Sequence, residues 1–124
     1  VVEALIPFYP CRNLTETRAF YESAVGLRLE RDQGSCVIYH VGGGYLGFCE
    51  HLSFVADSGV IITLVTDDVD GYYRHFSTLG IPIEAAPKHN PRYGIYHFFA
   101  RDPSGYRLEV QRFDNPLGRQ HPPR

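Results

Sequence analysis

The sequence predicts an α+β fold of two tandem βαβββ modules, whose sheets curve around an open, barrel-like cavity. Three observations predict it. First, residues 13–30 laid on residues 67–84 by a shift of 54 positions put Gly26 on Gly80, Leu27 on Ile81, Leu29 on Ile83 and Glu30 on Glu84. A repeat of this size in one small chain reports a duplicated structural unit. Second, each copy has the same grammar: an acidic or amide start, an aromatic-bearing helix, a Gly stop and an alternating strand. Third, 124 residues are too few for two independent cores, so the copies should pack on each other or on a second chain.

The elements follow in order. Val2 to Pro10 alternates as a strand, although its two prolines bar it from a fully bonded central position. Asn13 or Thr15 caps a helix that runs to about Ala24 and is stopped by Gly26. Leu27–Arg31, Cys36–Val41 and Tyr45–Glu50 read as strands. The turns Asp32-Gln33-Gly34 and Gly42-Gly43-Gly44 join them. After a connector, His51–Gly59, the β-branched run Val60–Thr66 opens the second module. Asp67 or Asp68 caps a helix to about Leu79, stopped by Gly80. Ile81–Ala85, Ile95–Ala100 and Tyr106–Phe113 complete the sheet, with Pro87–Gly94 as a polar loop and Asp102-Pro103-Ser104-Gly105 as a turn. The expected organisation is one domain over residues 1–113, with modules 1–51 and 60–113, and a flexible tail over 114–124.

Composition removes several function classes. The net charge is −2 and the basic residues are scattered, so nucleic acid is not an expected partner. No apolar run approaches the roughly 20 residues of a membrane span. No signal peptide is visible at Val1-Val2-Glu3-Ala4, and a cytoplasmic location is expected. Cys11, Cys36 and Cys49 are odd in number and lack a CxxC motif. That argues against a disulfide framework or a zinc ribbon and points to reduced thiols. With 9 Tyr and 8 Phe, the chain is suited to a cavity for a flat or apolar small molecule.

Alternation along the closing strands lines up Glu50 with Phe48 and Leu46, and Glu109 with Arg107 and Gln111, toward the cavity. In-facing charges are costly unless they meet solvent, a ligand or one another. His97 falls where it could face the cavity near Glu109 across the hairpin, although a lone strand histidine is more often a packed core residue. His51 should point to the opposite face from Glu50.

The strings Asn13-Leu14, Phe20-Tyr21-Glu22 and Val25-Gly26-Leu27 resemble a mark of the vicinal oxygen chelate superfamily. So do Asp68-Val69-Asp70 and Asp102-Pro103-Ser104-Gly105-Tyr106-Arg107-Leu108-Glu109. This superfamily holds glyoxalase I, fosfomycin-resistance enzymes, extradiol dioxygenases and bleomycin-resistance proteins. The resemblance covers residues 3–113 and implies the glyoxalase/bleomycin-resistance fold and a homodimer. It also implies, in metal-using members, a divalent ion (Mn, Fe, Ni or Zn) held by two imidazole-type and two carboxylate positions. The carboxylate positions map to Glu50 and Glu109; the others map to Ile6 and to Ile61, or to Val60 in a shifted register, and are aliphatic.

The resulting expectation is a metal-free binder of a small, planar or apolar molecule in a dimer groove. Phe8, Phe48, Thr63, Tyr93, Tyr96, Arg107 and Gln111 would line it, and Glu109 would be the catalytic or anchoring group. The alternative is a divalent-metal-dependent lyase, isomerase, transferase or dioxygenase using Glu50 and Glu109.

Overall fold

In a computed structural model that describes residues 1–54 and 58–118, two four-stranded sheets form, each with one helix. The chain divides into two compact units. Unit 1 is Val1–Ser58 with Pro103–Gly105, and unit 2 is Gly59–Asp102 with Tyr106–Arg124. Val55–Asp57 of the expected connector and residues 119–124 of the expected tail lie outside the described residues.

Unit 1 contains β1 (Phe8–Pro10), α1 (Leu14–Arg18) continuing as a π-helical segment (Ala19–Ala24), β2 (Arg28–Asp32), β3 (Cys36–Val41) and β4 (Gly44–Cys49). Its sheet order is β1-β4-β3-β2, with β1 parallel to β4 and the other pairs antiparallel. Unit 2 contains β5 (Ile61–Val65), α2 (Val69–Thr78), β6 (Lys88–Asn90), β7 (Ile95–Arg101) and β8 (Arg107–Phe113). Its order, β5-β8-β7-β6, repeats the pattern of unit 1.

The two helices show how the copies differ. Asn13 caps α1 through the Glu16 amide, and Asp68 caps α2 through the Gly71 amide. Gly26 and Gly80, at φ 83° and 72°, end them in the left-handed conformation that glycine adopts without steric cost. The stops are 54 residues apart but the caps 55, so the first helix holds one residue more. The π-helical segment absorbs it, with the Val25 amide donating to the Phe20 carbonyl five residues back.

Aromatic packing under each helix fixes the parity of each sheet. Phe48 is fully buried and stacks on Tyr21 at 4.5 Å between ring centroids, with Tyr39 beside both. In unit 2, Phe98 meets Tyr73 and Phe76 of α2 edge-on. The expectation that Phe48 and Leu46 face a cavity is therefore corrected. Large rings gain most where the helix removes both faces from water, so Phe48 turns to the helix. Tyr39 also donates from its hydroxyl to Glu22 (2.8 Å), and Glu22 is bound by Arg18 at 2.7 Å.

Other boundaries differ from expectation. Of Val2–Pro10 only Phe8–Pro10 is strand, with the Pro7 carbonyl just ahead of it accepting from the Gly47 amide; Val1, Val2 and Leu5 are exposed. Ile81–Ala85 reduces to one bridge, Ile83 with Ala100, and the expected Pro87–Gly94 loop instead supplies β6. Between Ile83 and Lys88 the chain takes five steps while β7 takes three from Ala100 to His97, so a bulge centred on Ala85-Ala86-Pro87 stands out from the sheet. The expected tail is tied at its start, where the Asp114 amide donates to the Gly94 carbonyl and its carboxylate meets His89.

The expectation of reduced cysteines is also corrected: Cys36 and Cys49 are joined in a disulfide. They are directly opposed on β3 and β4, a register created by the hairpin and invisible to a cysteine count. Cys11 is buried beside them in the fold, its amide donating to the Cys49 carbonyl.

The Arg18–Glu22–Tyr39 cluster yields a stability prediction. The Arg18 hydrogen bond, ahead of the opposing desolvation, holds the Glu22 carboxyl below its ordinary value of 4.5. A depressed carboxyl stabilises the fold above that value, and the contribution is lost as pH falls through the folded value. Melting temperature should therefore drop on acidification below about pH 4.5, and less steeply in Glu22→Gln. Tyr39→Phe should cost about 1–2 kcal/mol in urea unfolding at neutral pH, the worth of a partly buried hydrogen bond to a charge.

Candidate functional site

With Phe98 turned to α2, alternation sends His97 and Phe99 to the other face of the unit 2 sheet. Register then assembles that open face. His97 pairs with Gln111, Phe99 with Glu109, Arg101 with Arg107, and on the far side Glu109 pairs with Thr63. Glu109, Gln111 and His97 are all buried, at 8%, 6% and 7% exposure. Buried polar groups demand partners, and these satisfy one another. Glu109 Oε1 accepts from Thr63 Oγ1 (2.9 Å) and from Gln111 Nε2 (2.7 Å). Glu109 Oε2 lies 2.6 Å from His97 Nδ1, which donates to it. That bond fixes the ring and turns Nε2 into the nitrogen available to anything else. One atom of this network is left over: Gln111 Oε1 is buried and has no hydrogen-bond partner among the described residues. Exchanging its oxygen and nitrogen would place oxygen against the Glu109 carboxylate, so the orientation is set.

A cleft of about 290 Å³ opens beside this network, lined by Glu84, Lys88, Asn90, His97, Phe99 and Arg107, with Ala85 and Ala86 of the bulge as one wall. Arg107 binds Glu84 through two nitrogens (2.8 and 2.9 Å) and lies 3.8 Å from the centroid of the Phe99 ring. The Arg107 hydrogen bonds hold the Glu84 carboxyl below its ordinary value, and in return raise the guanidinium. The cleft thus has a charged rim held as an ion pair, an aromatic floor and a histidine edge.

The residues singled out by sequence scatter more widely. Thr63, Arg107, Glu109 and Gln111 come together on the open face of unit 2. Phe8 lies on the open face of unit 1, 40% exposed, its ring over Gly47. Phe48 does not line a cleft. Tyr96 is outside the lining of the unit 2 cleft; it shares the helix side with Phe98 and donates its hydroxyl to Asp70. Tyr93 is exposed in the turn ahead of β7, with the Arg92 guanidinium over its ring. Sequence reasoning left His97 out of the site set and missed Lys88 and Asn90. The Asp102–Gly105 turn is the signal that sets His97 opposite Gln111, whereas the bulge that brings in β6 leaves no sequence mark beyond Pro87.

The ligand positions implied by the resemblance do not fit a metal. Phe8 and Thr63 each stand five residues ahead of their helix cap. Phe8 pairs with Gly47 and Thr63 with Glu109, so the counterpart of Glu109 in unit 1 is Gly47, not Glu50. A side chain at Gly47 would begin 2.4 Å from the Phe8 ring. Glu50 lies one residue past β4, exposed, where its carboxylate accepts from the Leu14 amide in the first turn of α1 (3.2 Å). Ile6 and Ile61 offer no donor atoms, and Glu109 already has three partners. A different group, Cys36, Cys49 and His51, has its sulfur and nitrogen atoms within 4.8 Å of one another and could hold a metal ion.

The family model of the Glyoxalase/Bleomycin resistance protein/Dioxygenase superfamily matches residues 7–110. The chain belongs to this superfamily. No curated protein matches its sequence. Solved superfamily-like structures do match its fold. A lactoylglutathione lyase from Agrobacterium tumefaciens aligns with TM-score 0.70 at 23% identity, over 89% of this chain and 92% of that one. A glyoxalase/bleomycin resistance protein/dioxygenase from Alicyclobacillus acidocaldarius gives 0.71 at 21%, over 90% and 91%. TioX from Micromonospora sp. ML1 gives 0.74 at 16%, over 90% and 98%. Identities this low show a shared fold and nothing finer. Among the described residues, no helix is long and apolar enough to cross a membrane.

The hydrogen-bond network predicts an asymmetric mutational response. Glu109→Ala strands the donors of Thr63, His97 and Gln111 and should cost about 2–4 kcal/mol, whereas Thr63→Val, at an exposed position, should cost about 1 kcal/mol or less. Urea unfolding of the two variants beside wild type measures both.

Proposed function

We propose that this superfamily member is a metal-independent binding protein for a small planar molecule, held on the open face of unit 2 at the cleft beside His97. The observation that supports it most is the buried, unpartnered Gln111 Oε1 beside a carboxylate whose own hydrogen bonds are complete. In such a network both Glu109 oxygens are already engaged, which disfavours a metal ion there, and one acceptor, Gln111 Oε1, has no donor. The ligand therefore carries an acceptor or donor for His97 Nε2 and a flat body to lie against Phe99 and the Arg107 guanidinium, and an N–H or O–H group for Gln111 Oε1 once that atom, buried and outside the cleft lining, is uncovered. The reading is of sequestration type, with no turnover. We further propose that the chain works as a homodimer: Phe8, Ile61 and Val65, at 40%, 46% and 53% exposure, are apolar groups on the first strands of the two sheets that a partner chain would cover.

One observation favours a second reading. A histidine oriented by a buried carboxylate at 2.6 Å is the arrangement of a general base. In that case His97 Nε2 would take a proton from a bound substrate, and Glu109 would steady the resulting imidazolium.

The chain has 9 Tyr and no Trp, so its tyrosine emission reports ligand binding directly. Titration with a panel of planar, donor-bearing molecules should give saturable quenching. Gln111→Leu and His97→Ala should each weaken binding about tenfold or more, the worth of one buried hydrogen bond to a ligand. Stoichiometric metal that disappears in Glu109→Ala would overturn the metal-independent reading. Chemical conversion of the bound molecule, abolished in His97→Ala, would establish the second.

A further inference from the structure

We propose that Cys36, Cys49 and His51 form a second site, a thiolate–imidazole centre for a borderline transition metal such as zinc, which the Cys36–Cys49 disulfide closes. The site lies in unit 1 and is independent of the ligand-binding reading of unit 2.

Three features carry the inference. The first is ligand chemistry: two cysteine sulfurs and an imidazole nitrogen lie within 4.8 Å of one another, and this soft, mixed set selects zinc-like or copper-like ions over magnesium or calcium. The second is pre-organisation. His51 Nδ1 is 3.7 Å from Cys36 Sγ; ligands of one tetrahedral zinc, with bonds of about 2.3 and 2.0 Å, stand about 3.5 Å apart. The imidazole thus already stands at ligand spacing from one of the two sulfurs. The third is that the backbone holds the cysteines together without the disulfide. Six residue pairs join β3 to β4, with Cys36 opposite Cys49 at one end. Hydrogen bonds from Gln33 N to Cys36 O (2.8 Å), Glu50 N to Ser35 O (2.9 Å) and Cys11 N to Cys49 O (3.0 Å) pin both residues from outside the pair. The Cα atoms, 4.1 Å apart, are held as neighbours by these bonds whether or not the sulfurs are joined. Both cysteines are buried while His51 is exposed, so the group reaches the surface at His51.

The states exclude one another because they use the same sulfur electrons. A dithiol reductant breaks the Cys36–Cys49 bond: each sulfur gains one electron and one proton, and the reductant leaves as its own disulfide. The divalent ion then binds both sulfurs as thiolates and the neutral His51 nitrogen, releasing two protons. Occupancy is therefore controlled by thiol redox state.

Cobalt(II) is the probe, since thiolate coordination gives near-ultraviolet charge-transfer bands and intense visible bands. Full-length protein reduced with a phosphine and freed of excess reductant should bind one cobalt per chain, and zinc should displace it. The disulfide form should bind none. His51→Ala, at an exposed position that leaves the core intact, should weaken binding at least about tenfold while the reduced protein keeps its wild-type melting temperature. Cys11→Ser should retain the full spectrum. Bound metal should also slow re-formation of the disulfide in air. Reduced wild type that gives no cobalt–thiolate bands, or bands that persist unchanged in the disulfide form or in His51→Ala, would overturn the proposal. Cobalt lost in Cys11→Ser but kept in Cys36→Ser would overturn it equally, by moving the site elsewhere.

Discussion

The rings packed beneath the two helices are the constraint on which the rest of the structure depends. Phe48 on Tyr21 in unit 1, and Phe98 against Tyr73 and Phe76 in unit 2, decide which face of each sheet is closed. Strand side chains alternate, so choosing a side for one residue chooses it for every residue of that strand and, through register, for its neighbours. Turning Phe98 to the helix commits His97, Phe99, Glu109, Gln111, Arg107 and Thr63 to the opposite face. Turning Phe48 to the helix commits Gly47, Phe8, Cys36 and Cys49 likewise. The cleft, the Glu109 network and the Cys36–Cys49–His51 group all follow from hydrophobic burial elsewhere.

Duplication supplied two equivalent open faces, and the two have diverged chemically. In unit 2 the position beside the first strand is Glu109, locked by Thr63, Gln111 and His97. In unit 1 it is Gly47 under the Phe8 ring, and Cys49 of the Cys36–Cys49 disulfide lies two residues further along β4. The helix was altered as well, since the extra residue in the first copy became a π-helical segment without shifting either cap or stop out of role. One backbone plan thus carries a polar, hydrogen-bonded face and an aromatic, sulfur-bearing face. This is how a superfamily scaffold changes chemistry while its strand order stays fixed.

Strand positions were legible in the sequence where local chemistry and register agree. Glu109 was legible because the Asp102–Gly105 turn fixes the β7–β8 register and alternation then aligns Arg107, Glu109 and Gln111. His97 was visible by the same register, although nothing local showed that it would be bonded to Glu109. Glu50 was misplaced because motif spacing and alternation carried the strand one residue too far. It falls just past the end of β4, where it binds the start of α1. Phe48 and Tyr96 were misplaced because alternation divides a strand into two sets without saying which set meets the helix.

The sequence by itself determined the duplicated βαβββ plan, the helix caps and stops, the hairpin turns and membership of a superfamily. These rest on short-range rules: side-chain caps, glycine at positive φ and periodicity along a few residues. Tertiary structure alone decided which face of each strand is open, that Gly47 rather than Glu50 is the counterpart of Glu109, that a bulge at Ala85-Ala86-Pro87 walls a cleft, and that Cys36 meets Cys49 with His51 alongside. Each of these is a relation between residues distant in the chain. Such relations are set by competition for buried space and by ladder register, which exist only once the sheets and helices have packed.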